Sequence, residues 1–347
     1  MAKEKKEKRQ KKPHLIFHSV LLVLSVILVA AAVLINSVTA SFSTMLDAFA
    51  GGNTVHVDKA LVAQTDEYAD QLAQQVELES AVLLQNKDGV LPLAVNVKQI
   101  NVFGWASTAW LGGGSGSGGV SSVETDFLAA LEAYGVSYNT ELTNMYKDFQ
   151  AGREYTSTLN SWPEQSCRLY EPDINDTTYY TAQLLDNAKS YSDTAIVVLG
   201  RISGESNDAT QEQYKRLTKG GDIVVDESRT YLDLSTEEEA LLAYVGENYE
   251  NVVVVLNTAN VMALGAIETT PGVDACLMAG FTGQSGAAAL PLLLWGEASP
   301  SGKTADTWAY DLTTAPSYAN TGKLGVGAYT GADGLYPMLD KSEAERS

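Results

Sequence analysis

Most of the chain alternates short apolar runs with longer segments in which apolar residues recur at helical spacing. Short β-branched runs are typical of strands that are buried on both faces of a parallel sheet. Such runs predict strands at residues 98–104, 195–199, 251–257 and 273–280. Helical spacing predicts helices at residues 59–85, 123–134, 180–191, 235–248 and 285–295. This alternation indicates parallel crossover connections, so we expect one α/β domain, a three-layer α/β/α sandwich with a mostly parallel sheet.

Smaller signals mark where the elements begin and end. Ser235 with Glu238 three residues later predicts a capping box, and Gly135 predicts the end of a helix. Residues 136–142 are predicted to be extended, and the polar, aperiodic residues 150–178 are predicted to be an insertion loop.

A polar loop at residues 201–208 follows the central apolar run, after Gly200, which we expect to end the strand. Open α/β sheets place their ligands at the carboxyl ends of the strands. Glu205 lies in the middle of this loop, where its carboxyl group would be presented to a substrate as a proton donor or acceptor. Most glutamates in loops are solvated surface charges, so both interpretations stand at this point.

The amino-terminal segment has the composition of a membrane anchor. Residues 15–35 contain no formally charged residue apart from a protonatable His18, and about 20 such residues span a bilayer as a helix. Seven Lys and Arg precede this run and none follows until Lys59, which predicts a cytoplasmic amino terminus and an extracellular body at the cell membrane. The alternative is a signal peptide cleaved after residues 38–40, although the apolar run exceeds the usual ~7 to 15 residues.

These patterns predict five segments along the chain. They are a basic cytoplasmic head (1–13), a transmembrane anchor (14–36), a linker (37–58), the sandwich domain (59–315) and a polar tail (316–347).

Charge and residue usage exclude several classes of partner. The formal net charge is −20, and because the first 12 residues carry +5, the other 335 carry −25. An acidic body repels phosphate backbones, so we expect no nucleic acid partner. The three histidines, His14, His18 and His56, all precede the folded body, and we expect neither a metal nor another cofactor.

Two cysteines, Cys167 and Cys276, occur in the exported part of the chain, where a disulfide is permissible. Cys276 lies in a predicted internal strand, which favours a buried free thiol.

Two glycine motifs resemble nucleotide-binding fingerprints without meeting their requirements. Residues 114–119 (GSGSGG) satisfy G-x-G-x-x-G, but residues 105–111 intervene after the predicted strand and no acidic residue follows at the required distance. Residues 302–304 (GKT) lack the glycine five positions earlier, where Glu297 stands. A nucleotide-binding function is therefore the weakest hypothesis, although the loop at 112–119 can bring backbone amides close to some other ligand.

Six blocks in order carry a family resemblance. They are ESAVLLQNKDGVLPL, GGGSGS, VVLGRISGES, YLDLSTEEEALL, NVVVVLN and GEASPSGKTADTWAYD. Together, over about residues 77–311, they resemble the α/β sandwich domain of glycoside hydrolase family 3, as in β-glucosidases of reversed domain order. In the branch with the motif R-x-S-G-E-G-x-D-R, the glutamate is the general acid/base, and Glu205 matches it. Ser206 and Ala209 depart from the motif's glycine and arginine.

The resemblance implies a glycosidase that hydrolyses an oligosaccharide or β-glycoside, with Ser115, Ser117, Arg201 and Asp208 binding substrate around Glu205. It also implies a nucleophilic aspartate on a (β/α)₈ barrel, which we expect to be supplied downstream or by another chain. The alternative is a non-catalytic carbohydrate-binding or assembly module of the same fold.

Overall fold

The computed structural model describes residues 2–43, 58–154, 167–204, 209–315 and 318. The chain forms two compact units, Met1–Gln64 and Thr65–Ser347. Glu205, Ser206 and Asp208, together with most of the predicted linker and tail, lie outside the described residues.

The first unit contains a helix α1 (Ala2–Ser41) of 40 residues. Its part Ile16–Ser41 has a mean hydropathy of 2.8, and its side chains are exposed. Such a helix is long and apolar enough to cross a membrane, and a signal sequence near an amino terminus has the same properties.

The described residues of the second unit contain nine strands. These are β1 (Val82–Asn86), β2 (Gln99–Phe103), β3 (Ser137–Tyr138), β4 (Arg168–Leu169), β5 (Thr194–Arg201), β6 (Gln213–Arg216), β7 (Ile223–Asp226), β8 (Asn251–Thr258) and β9 (Ala275–Met278). The larger sheet has the order β1-β9-β8-β5-β2-β3, and only β1 runs antiparallel to its neighbour. The smaller sheet has the order β4-β6-β7.

Helices pack on both faces of the larger sheet. They are α2 (Lys59–Ser80), which crosses the boundary between the units, α3 (Phe127–Tyr134), α4 (Thr140–Phe149), α5 (Ala182–Tyr191), α6 (Thr236–Asn248), α7 (Gly265–Thr269) and α8 (Leu290–Leu294). Along β5, Val197 and Leu199 belong to one hydrophobic cluster and Ile196 and Val198 to another, because successive side chains point to opposite faces. The three-layer α/β/α sandwich with a mostly parallel sheet is confirmed.

Several sequence-based boundaries were wrong. The predicted helix over residues 59–85 ends at Ser80, because the next residues form the edge strand β1 beside β9. Gly200 does not end β5, since both Gly200 and Arg201 continue the pairing with β8. The predicted extended run at 136–142 is limited to β3, because Asn139 caps α4 through a hydrogen bond from the amide of Glu141.

The smaller sheet was not predicted at all, and its strand β4 lies in what was expected to be an insertion loop. Likewise, the predicted helix at 285–295 is a 3₁₀ turn, Gly286–Ala289, that leads into the short α8.

Other local predictions are confirmed. Gly135 ends α3 in the left-handed conformation with φ of 85°, and Ser235 and Glu238 form the capping box of α6. Both cysteines are buried; Cys276 is a free thiol, as predicted, and burial raises its pKa to about 12.

Candidate functional site

The candidate site lies at the edge of the larger sheet where the parallel strands β2, β5, β8 and β9 all end. In doubly wound sheets this edge is the usual place for a ligand. The segments that leave it include the glycine-rich loop and the residues that lead to Glu205.

Asn257, near the end of β8, ties two of these segments together. Its side chain is fully buried, accepts a hydrogen bond from the Leu111 amide at 2.6 Å and donates to the carbonyl oxygens of Leu111 and Gly280 at 2.9 and 2.8 Å. The indole of Trp110 donates to Thr282 at 2.9 Å. The base of the glycine-rich loop is thus held by a polar network inside the fold.

The glycine-rich loop also touches the segment after β5. The amide of Ser115 donates to the carbonyl of Ser203 at 2.9 Å, and Ser115 forms a β-bridge with Gly204, the residue before Glu205. A Cβ at Gly204 would collide with the backbone of Ser115, and one at Gly114 would collide with the Ser203 carbonyl. Glycine is therefore required sterically at both positions of this contact.

Ser115 and Ser117, the two serines predicted to bind substrate, have different environments in the structure. Ser115 is 1% exposed and lies within this contact, whereas Ser117 lies on the exposed 3₁₀ turn Gly116–Gly118.

Arg201, four residues before Glu205, is fully buried. Its guanidinium forms a bidentate ion pair with Glu238 at 2.8 and 2.6 Å. The other donors reach the carbonyls of Tyr231, Gly200 and Asp233, at 2.7, 3.1 and 2.8 Å respectively. All five N–H donors thus have protein partners.

Burial alone would lower the pKa of Arg201, but the charge and hydrogen bonds of Glu238 outweigh burial and hold that pKa above its ordinary value.

A second buried carboxyl, Glu171, holds the turn after β2. It accepts hydrogen bonds from the Trp105 amide at 2.8 Å and from the Tyr180 hydroxyl at 3.1 Å. The Tyr180 hydroxyl is 2.6 Å from that of Tyr146, which accepts from the Gly104 amide. Burial raises the pKa of Glu171 to about 8, although the Trp105 hydrogen bond opposes this effect.

Two adjoining cavities open beside the residues that flank Glu205, with volumes of about 520 and 530 Å³. Ala209, Leu232, Val261 and Asp306 line both. The first also contacts Ser203, Asn260 and Trp308, and the buried Nδ2 of Asn260 has no hydrogen-bond partner among the described residues. Among all the residues that the structure describes, no group of three or more His, Cys, Asp or Glu side chains is arranged to hold a metal ion.

Sequence analysis missed Asn260, Asp306 and Trp308 as lining residues. Asp306 and Trp308 belong to the block GEASPSGKTADTWAYD, which contributed to the family resemblance. Nothing in the local sequence of this block predicts that it lines a cavity at the sheet edge.

The model of the glycosyl hydrolase family 3 C-terminal domain matches residues 81–338 of this sequence. The chain belongs to glycosyl hydrolase family 3. A curated beta-glucosidase from Ruminococcus albus is 34% identical over 267 residues, which cover 76% of this chain and 25% of that protein. Beta-glucosidase A from Butyrivibrio fibrisolvens is 27% identical over 255 residues, or 71% of this chain and 29% of that protein.

Solved structures of the family have the same fold. A beta-glucosidase from Paenibacillus barengoltzii matches with a TM-score of 0.55 and 25% identity, covering 72% of this chain and 25% of that one. Beta-glucosidase 3B from Thermotoga neapolitana, solved with alpha-D-glucose, matches with a TM-score of 0.55 and 23% identity, covering 73% of this chain and 33% of that one. The chain thus spans about a quarter to a third of the length of these relatives.

The comparisons confirm the resemblance that the six sequence blocks carry. In the described residues, Ser115 lies next to Gly204, and Arg201 is the buried last residue of β5, three residues before Gly204. The roles of Glu205, Asp208, Ser117, Ser115 and Arg201 toward a substrate stay predictions.

Proposed function

We propose that this chain is the sandwich part of a membrane-anchored, exported β-glucosidase-like hydrolase, and that Glu205 is its general acid/base. The observation that carries the proposal is the position of Gly204, the residue before Glu205. It lies at the carboxyl edge of the sheet, in contact with the glycine-rich loop and three residues after the anchored Arg201. The segment that delivers Glu205 is therefore held from two sides at the edge where ligands bind such sheets.

The chemistry requires a second carboxyl group. Retaining glycosidases use two carboxyls about 5 to 5.5 Å apart, one attacking the anomeric carbon and the other protonating the leaving oxygen and later activating water. Glu205 takes the second role, and the nucleophilic aspartate comes from a (β/α)₈ barrel domain that pairs with this one.

The other predicted site residues divide by exposure. The exposed Ser117 suits direct contact with a β-glycoside or oligosaccharide. Asp208 lies outside the described residues, and the same role is proposed for it from the family motif alone. The buried Ser115 and Arg201 suit positioning of that segment, because Ser115 is enclosed and every donor of Arg201 is already used.

The test uses the 347-residue chain with the barrel fused or co-expressed. Changing Glu205 to Gln should slow substrates with poor leaving groups by about 10² to 10⁴, and activated aryl glycosides much less, because only the former need a proton as the bond breaks. Azide should partly restore turnover of activated substrates, since it attacks the glycosyl intermediate without a general base. The matched control is Glu227→Gln, the same change at an exposed glutamate beyond β7, and it should leave all rates unchanged.

Equal slowing of all substrates without azide rescue would contradict an acid/base role for Glu205. The search would then move to Asp208 and Glu212. A non-catalytic module remains the second candidate, and it is favoured by Ser206 and Ala209, which depart from the family motif. Sugar binding by the complete enzyme without any turnover would support it.

A further inference from the structure

The first turn of α6 carries three consecutive glutamates, and each of them pairs with a different cation. The pairs are Glu237 with Lys215, Glu238 with Arg201 and Glu239 with Arg229. The first two pairs are buried, with side chains at most 10% exposed, whereas Glu239 and Arg229 are 36% and 25% exposed. Carboxylates also suit this position because the amino end of a helix carries partial positive charge.

The two buried cations flank Glu205 in the sequence. Arg201 is the last residue of β5, four residues before Glu205, and Lys215 lies on β6, ten residues after it. Lys215 reaches Glu237 at 3.0 Å and also Asp226 at 3.6 Å. The chain is therefore ion-paired to the first turn of α6 at Arg201, before residues 205–208, and again at Lys215, after them.

One backbone carbonyl, that of Asp233, accepts hydrogen bonds from both β5 and β6, the strands on either side of residues 202–212. The Asp233 oxygen accepts a hydrogen bond from Arg201 at 2.8 Å and another from Gln213, on β6, at 3.1 Å. The Tyr231 amide donates to the Thr210 carbonyl at 3.0 Å, and the Tyr231 hydroxyl accepts from the Ile202 amide at 2.8 Å. Both ends of the segment are thus fastened to residues just before α6.

We propose that Glu238 and Glu237 are positioning residues, forming an ionic clamp that fixes both ends of residues 202–212 and thereby sets the geometry of Glu205. The catalytic half of this inference rests on the proposed function, whereas the structural half does not. Removing one partner of a buried pair leaves an uncompensated charge, so the clamp should open when either glutamate is neutralised.

The structural test is amide hydrogen exchange on the 347-residue chain in detergent. Glu238→Gln removes the charge but keeps the capping box, because glutamine also serves at that position. We expect the amides of Ile202, Tyr231 and Ser115 to exchange at least tenfold faster in this variant. Two controls should change these amides less than twofold. One is Glu239→Gln, the same change at the more exposed pair. The other is Glu247→Gln, the same change at an exposed glutamate near the other end of α6.

The catalytic test measures the pH profile of kcat/KM for the barrel-complemented enzyme. In Glu238→Gln the Arg201 charge is no longer neutralised, so the general acid should lose its proton more easily. We expect the alkaline limb to move to lower pH by at least half a unit, with kcat falling more than KM rises. Glu238→Asp, which restores the charge, should return the limb towards the parent enzyme. A merely structural weakening would not move the limb.

The outcomes separate the clamp from the proposed function. Equal exchange in Glu238→Gln and the two controls would overturn the clamp, whatever the kinetics show. Faster exchange with an unmoved alkaline limb would overturn the positioning role. Should Glu238→Gln fail to fold, Glu237→Gln tests the same clamp from the Lys215 side by the same exchange. If Glu205→Gln itself proves fully active, the proposed function fails, and the exchange data alone still decide whether the clamp exists.

Discussion

Among individual residues, Glu77 has a carboxyl group that folding removes from water while one of its oxygens gains no hydrogen bond from the described residues. It is 3% exposed near the end of α2, and its Oε1 has no hydrogen-bond partner among the described residues. Burial raises its pKa from 4.5 to about 8. The folded chain therefore keeps this proton at neutral pH while the unfolded chain has released it.

This shift predicts stability that falls as pH rises. Between pH 4.5 and 8 the free energy of unfolding should decline, with Glu77 contributing up to about 1.4 kcal/mol per pH unit, and the loss should level off above pH 8. Glu77→Gln should remove this contribution, while the part due to Glu171 remains. Urea unfolding at pH 5, 6, 7 and 8 measures the slope, and Glu79→Gln, an exposed glutamate on the same helix, is the control. Identical slopes in the two variants would contradict the assignment.

How far single residues could be predicted depended on whether their signal was local. Glu205 stands in a motif that is contiguous in sequence, so the resemblance selected it directly. Arg201 stands in the same motif, but its use as a buried anchor depends on Glu238, 37 positions away. Asn257 ends an apolar run and carried no sign that its amide would bridge two loops.

Among the elements, the contact between the glycine-rich loop and the end of β5 depends on close backbone approach. Gly204→Ala would drive a methyl group into the backbone of Ser115. We expect it to destabilise the chain by about 1 to 3 kcal/mol, as overpacking does, and to reduce turnover of the barrel-complemented enzyme. Gly118→Ala is the control, because a Cβ there meets nothing within 4 Å, and it should stay within about 0.5 kcal/mol of the parent. Urea unfolding checks both, and equal stability would show that the loop contact is dispensable.

The elements that sequence analysis recovered are those whose burial is apolar. β5 and β8 have long β-branched runs and are buried along almost their whole length. β6 (QYKR) was missed because it is polar, although three of its four residues are buried; Lys215 is buried by pairing with Glu237, which no hydrophobic pattern reveals. β1 was assigned to the preceding helix because its apolar residues continue the helical spacing, and only pairing with β9 makes it a strand.

On the scale of the whole molecule, the six blocks in order predicted the domain because a sandwich of this kind is built from successive crossover units, each with its own local pattern. The proposed retaining mechanism would take its second carboxyl group from another domain. No local pattern in the sandwich therefore predicts which sugar such a joint site would accept.

The charge asymmetry around α1 predicts how the protein is arranged at a membrane. Seven Lys and Arg precede the apolar segment, and none follows until Lys59. Positive charge is retained on the cytoplasmic side, so the residues after the helix should be outside. Protease added to intact spheroplasts should digest the body and spare a tag placed before Lys3, whereas detergent should expose both. Moving the basic residues of positions 3–12 to just after Ser41 should reverse the pattern. Protection of the body in the parent protein would refute this orientation, and a soluble form beginning at Ser41 would identify the helix as a cleaved signal peptide.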